Sequence, residues 1–434
     1  VQTALAWPRG SKVGGLAGEP WRDASVPTLR PIGTAYIIAA IALFPLCVLE
    51  KEVSMDRVNL MLLATVLVCG LVPDAYAQGM AADHYLPAKP ENVVWGWIPI
   101  DAPPVLAIRS GQSVRIDTIS HHGATQAEDP VRFLAGLGVQ PEEILQDARD
   151  FWASKPGRSR VGRTGAHILT GPIAITGAEP GDMLEIQILE ISTRVPWGIN
   201  TAGATSGVLG NDYPGTRPGD PGSGVPAGAN TRNLIRTGMV NGREVAHFSD
   251  QIKVPLAPFM GIMAVAPRDP QAGQPGVTIT GVQNSTPPGP YGGNLDNKAL
   301  VAGTSLFLPV FHAGALFYTG DSHGVQGDGE VSGNALEQSL TGVFRFVLHK
   351  GKTIAGPRAE TPTHYILMGI DLDLDRAMRM ATLEVVDFLV KEKGLTPQKA
   401  FSLASLAVDF RVAEAVDDTQ NVAGYIPKSL FAGN

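Results

Sequence analysis

Hydrophobic and polar residues alternate with period two in several short stretches, and the alternation is broken by turn residues. The clearest case is Gly171–Ser192, where Leu184, Ile186 and Ile188 alternate with Glu185 and Gln187. That pattern predicts a half-buried strand. The Glu179-Pro180-Gly181-Asp182 turn predicts a second strand before it. Val105–Thr118 reads as strand–turn–strand around Ser110-Gly111, and further strands are predicted at Lys253–Val254, Gly261–Ala266, Ser305–Val310 and Val343–Leu348.

Helical spacing is rarer. Pro141–Trp152 places Ile144, Leu145 and Ala148 on one face. Asp375–Lys393 carries apolar residues at helical intervals from Ala377 to Leu389, with acids at its start and Gly394 just beyond its end. Thr396-Pro397 predicts the N-terminus of a second helix, and Ala407–Val416 a return strand. Together these elements predict a β-rich α+β fold, with a sandwich- or barrel-like β core and a small helical element near the C-terminus.

Fifty glycines and 34 prolines suit a turn-rich, strand-rich chain. Gly203–Asn230, dense in Gly, Pro, Ser and Asn, reads as a long surface loop or a lid. The net charge is −7 and there is no run of Lys or Arg, which argues against nucleic acid as a partner. The two cysteines, Cys47 and Cys69, both fall in N-terminal apolar segments. Met55, Arg57, the apolar run Leu60–Leu71 and Ala75-Tyr76-Ala77 before Gln78 have the layout of an export signal. The expected organisation is therefore an upstream, non-native extension over 1–54, a signal peptide over 55–77 and a catalytic domain over 78–434. The mature domain is expected in the periplasm or outside the cell, unattached to membrane and without cysteine.

Candidate chemistry concentrates in Asn294–Glu337. Asp321, His323, Gln326, Asp328, Glu330 and Glu337 lie there among glycines, which let a backbone turn tightly and approach a ligand. Asp321 and His323 stand two apart, so a strand would turn both to one metal ion. His121, in the Ser120–Gly123 loop, is the expected distant ligand. Glu330 and Glu337 are the general-base candidates; seven residues apart on a helix they would share a face, but Gly327, Gly329 and Gly333 argue against a regular helix through Glu330. Asp371, Asp373 and Asp375 read as a negatively charged helix start. His167, His247 and His364 read as isolated structural histidines.

The segment Gly320–Glu330, GDSHGVQGDGE, resembles the acetamidase/formamidase family of amide hydrolases, as do Leu308–Val310 and Gly314–Leu316. Gly171–Leu189, Thr361–Ala381 and Ile426–Phe431 are similar to further portions of that family. The resemblance implies hydrolysis of a small amide to carboxylate and ammonia by metal-activated water, with zinc the expected divalent metal. It implies that Asp296 is a ligand or ligand-orienting acid, and that Asn294 is a substrate contact. Gln326 is assigned to substrate binding with it. The family pattern has an acid where this chain has His122. A homo-oligomer is expected. Two other readings share the scaffold: hydrolysis of a cyclic or larger amide, and a non-catalytic binding protein.

Overall fold

A computed structural model describes residues 80–155, 165–203, 206–212 and 230–431. The proposed extension and signal peptide lie outside these residues, as does most of the predicted lid, of which Gly207–Asp212 forms a 3-10 turn.

The core lies between two sheets. The larger has nine strands, with Met183–Thr193 near its centre between Leu340–His349 and Thr304–Pro309. The smaller is built on Phe317–His323, flanked by antiparallel Phe259–Ala264 and Ile168–Ile175. One apolar cluster takes side chains from both sheets, including Ile186, Leu306 and Phe344 from the first and Leu169, Ile262 and Phe317 from the second. Phe317 and Phe346 meet edge to face across it at 5.0 Å. This is the expected sandwich-like, β-rich α+β arrangement.

The alternation of Met183–Thr193 is explained by this placement: Leu184, Ile186 and Ile188 are buried, whereas Glu185 and Gln187 are partly exposed. Neither predicted strand–turn–strand unit is a hairpin. Leu106–Ile108 pairs in parallel with Ile168–Ile175, while Ser113–Asp117 joins the large sheet. Ile168–Ile175 and Met183–Thr193 also lie in different sheets. Each turn therefore carries the chain from one layer of the sandwich to the other.

The C-terminal helices follow the sequence signals closely. Leu374–Lys393 starts at Asp373, whose side chain accepts from the Arg376 N–H, and stops at Gly394 in the left-handed region at φ 68°. Pro397–Ala407 is capped by Thr396. The first helix lies on His364–Asp371 so closely that a Cβ on Gly369 would stand 2.1 Å from the Ala381 nitrogen. Gly369→Ala should therefore destabilise the fold by roughly 1–3 kcal/mol through overpacking, read as a lower Tm or denaturant midpoint.

Pro141–Trp152 is not one helix. A 3-10 turn spans Pro141–Glu143 and the α-helix begins only at Gln146. Ile144 is extended (φ −92°, ψ 116°), which directs its side chain into a cluster with Leu134, Val139 and Trp197. Burial there outweighs continuing the helix. Glu330 and Glu337 are not on a helix, in keeping with the glycines at 327, 329 and 333. Glu330 sits in a loop at φ 45°, and Glu337 forms isolated bridges to Ile199 and His323.

Candidate metal and catalytic site

The site forms where Phe317–His323 ends. The strand is buried along its whole length, and its last residue, His323, has no exposed surface. Gly261 on the neighbouring strand makes room for it. A Cβ there would lie 2.3 Å from Asp296 Oδ1 and 2.9 Å from His323 Cε1. Asp296, Asp321 and Glu330 all have left-handed backbones, at φ 41°, 46° and 45°. Such strain costs about 1–3 kcal/mol per residue and clusters at functional sites.

Three imidazoles surround the Asp321 carboxylate. Its Oδ2 is 3.4 Å from His323 Nε2, and its Oδ1 is 3.8 Å from His121 Nδ1 and 3.7 Å from His167 Nε2. Glu337 closes the group, with Oε1 3.3 Å from His323 Nε2 and Oε2 3.9 Å from His121 Nδ1. The Ala335 N–H donates to Glu337 Oε1, leaving Oε2 without a hydrogen-bond partner.

Gln326 sets the tautomer of His323. Its Nε2 donates to the Asp296 and Ala413 carbonyls, so Oε1 faces His323 Nδ1 at 3.0 Å and accepts its proton. That leaves a lone pair on Nε2. His323 Nε2 and His121 Nδ1 are both buried and without a hydrogen-bond partner. Asp296 lies on the other side of the ring, its Oδ1 3.5 Å from Nδ1. It also lies within 4.8 Å of Asp321 and His323 in one possible ligand set, so it stands where either a ligand or a ligand-orienting acid would.

Burial and charge prepare these groups for a cation. Burial holds His121 well below the usual imidazole range, with His122 adding to the effect, so His121 is neutral. Burial opposes ionisation of Asp321, but His167 and His323 outweigh it and keep the carboxylate charged. Burial also opposes protonation of His323, but the Glu337 and Asp321 carboxylates outweigh it and favour a second proton at Nε2, which a bound cation would displace. Burial raises Glu337 above its ordinary value.

The donors around Asp321 are of the kinds zinc takes, and the sets that include Asp321 or His323 with all ligand atoms within 4.8 Å of one another are His121–Asp321–Glu337, Asp296–Asp321–His323 and His323–Glu330–Glu337. Ligands at ~2.0–2.2 Å in a tetrahedral array stand about 3.3–3.6 Å apart. The imidazole–carboxylate separations around Asp321 are 3.4–3.8 Å. Neutral imidazoles and an ionised carboxylate are the usual zinc donors.

The acids and imidazoles form overlapping sets, His121 with Asp321 and Glu337, Asp296 with Asp321 and His323, and Glu330 with His323 and Glu337, while Asp296 and Glu330 also face Asp417. Asn294 is buried there, its Nδ2 donating to Asp417 Oδ2. Gln326 lines a cavity of about 260 Å³ together with Glu330, but its amide is taken up by His323 and two carbonyls. His122 stacks beside His121, with ring centroids 4.3 Å apart, and burial lowers it to about 4.

Sequence reasoning alone misses His167, which reads as a structural histidine. It precedes the strand Ile168–Ile175, and its Nδ1 is 3.0 Å from Ser285 Oγ. A proton given to that hydroxyl leaves Nε2 facing Asp321. A single histidine before a strand carries no local signal of this. Gln326→Leu frees the His323 ring, and is expected to weaken metal affinity about 10–100-fold, measured by competition with a chromophoric chelator.

The Acetamidase/Formamidase family model matches residues 159–274 and 276–433. A formamidase from Methylophilus methylotrophus is 25% identical over 387 residues, covering 77% of this chain and 88% of that protein. An acetamidase from Mycolicibacterium smegmatis is 31% identical over 212 residues, 38% of this chain and 49% of its own length. The solved acetamidase from Bacillus halodurans superposes with a TM-score of 0.61 at 26% identity, covering 80% of this chain and 98% of that one.

Proposed function

This chain belongs to the acetamidase/formamidase family, and we propose that it hydrolyses a small linear amide of the formamide or acetamide kind to carboxylate and ammonia. The observation that carries the reading is the Asp321 carboxylate among three imidazoles, with the unpartnered Glu337 Oε2 beside them. A divalent metal, zinc by its donors, would be held at Asp321 by imidazoles that face it, His323 and His121 foremost, with His167 beside the same carboxylate, and when bound would supply Lewis-acid activation of water and of the amide carbonyl.

The side chains supply the rest. Glu337 Oε2 takes the proton of the attacking water and delivers it to the departing nitrogen, and burial suits the group to both steps by raising its affinity for a proton. Glu337 is favoured over Glu330 for this role because it alone of the two stands within 4 Å of both His121 and His323. Gln326 holds the His323 ring. Gln326 and Glu330 also line a cavity of about 260 Å³, in which a small amide would fit.

A cyclic or larger amide is the second reading. The export pattern at Met55–Ala77 favours it, because simple amides cross membranes unaided and gain little from an exported enzyme. Metal analysis of the purified chain, paired with an ammonia-release screen over linear and cyclic amides, tests both. Ammonia from formamide or acetamide, abolished by chelation and restored by zinc, is the expected result. Zinc-loaded protein that releases ammonia from no amide would remove the hydrolase reading.

A further inference from the structure

A cavity of about 570 Å³ opens between the loop that follows Phe259–Ala264, the segment Pro288–Tyr291 and the start of the helix Leu374–Lys393. None of the acids or imidazoles of the candidate site lines it. Its volume lies within the ~300–1,000 Å³ of small-molecule sites.

The walls combine apolar surface with unanswered charge. Phe311, Tyr291 and Ile370 supply the apolar part. Arg268 lies over the Phe311 ring, 5.1 Å from its centroid, and this stacking holds the planar guanidinium ready for an anion. Asp269, next along the chain, lines the same cavity. Among the described residues, neither Arg268 nor Asp269 forms an ion pair or a side-chain hydrogen bond. Arg376 differs, because its Nε donates to Asp371 Oδ1 at 2.7 Å and its charge is balanced there. The cavity thus presents one cation and one anion that lack partners among the described residues.

A buried amide adds a directional demand. Gln283 is only 5% exposed, and its Nε2 donates to the Pro275 and Asn284 carbonyls. That fixes the amide and leaves Oε1 with no donor among the described residues. Buried acceptors are normally paired. Gln283 lines the cavity, so a ligand held there can supply the donor. A simple anion would satisfy Arg268 and leave Asp269 and Gln283 unanswered, whereas a simple cation would leave Arg268. A zwitterion answers all three, with a carboxylate for Arg268 and an ammonium for Asp269 and Gln283 Oε1.

We propose that this cavity binds a free amino acid with an apolar side chain, held by Arg268, Asp269 and Gln283, with the side chain against Phe311 and Tyr291. The proposal goes beyond amide hydrolysis and does not depend on it.

Calorimetry on the full chain with L-phenylalanine as the probe is the test. The expected result is one molecule bound per chain, saturating below about 10 mM. Phenylpropionate, which lacks the ammonium, and phenethylamine, which lacks the carboxylate, should each bind at least about tenfold more weakly. Arg268→Ala and Asp269→Asn should each weaken phenylalanine binding by a similar factor. Both residues are exposed, so the variants are expected to keep the parental Tm. The proposal falls if phenylalanine does not bind by about 10 mM, if either analogue binds as tightly, or if neither variant weakens binding. None of these outcomes involves amide turnover, so failure of the hydrolase reading is seen separately in the ammonia screen.

Discussion

Replacing Glu337 by Gln is expected to lower amide turnover by ~10²–10⁴ while zinc content stays at the parental level. The substitution keeps shape and volume and removes only the ability to take a proton. The Ala335 N–H can still donate to the retained amide oxygen. Glu330→Gln is the informative companion. If Glu330→Gln loses turnover with all ions retained while Glu337→Gln stays within a few-fold of the parent, the proton-moving role passes to Glu330. Loss of zinc from Glu337→Gln would instead make Glu337 a ligand.

The second large effect concerns His323. His323→Ala should lose zinc, with affinity falling by more than the ~10–100-fold typical of an orienting residue, and turnover should fall with it. Among the described residues, its Nε2 is the one imidazole nitrogen that faces both Asp321 and Glu337 within 3.5 Å. The ring also packs edge to face on Phe259 at 5.1 Å, so some stability goes with it. Zinc per chain, measured by mass spectrometry on protein that retains its circular dichroism spectrum, separates the two effects. A variant with full zinc and full activity would show that His323 is not a ligand.

Both predictions draw on residues that the sequence itself marks. Asp321-x-His323 is legible because the two lie two apart on one short element, among glycines and further acids. His167 is not. It lies 154 residues before Asp321 in the chain, and only the pairing of Ile168–Ile175 with Phe317–His323 brings them together. The role of Gln326 is hidden for a related reason. Its amide is directed by two carbonyls, those of Asp296 and Ala413, which come from distant parts of the chain. Asp417 carries no local signal at all, and reaches Asn294 only because the last strands return to the large sheet.

By itself the sequence determined what depends on neighbours along the chain. Alternating apolar residues, an acidic helix start at Asp371–Asp375, the cap at Thr396 and Gly394 as a stop are local preferences, and the structure keeps each of them. The tertiary structure decided which strands share a sheet, where Ile144 leaves its helix, and which acids face imidazoles and which face one another. Those choices depend on burial and on carboxylate spacing between segments far apart in sequence. Hydrophobic burial is non-directional, so periodicity marks which face is covered and leaves open what covers it.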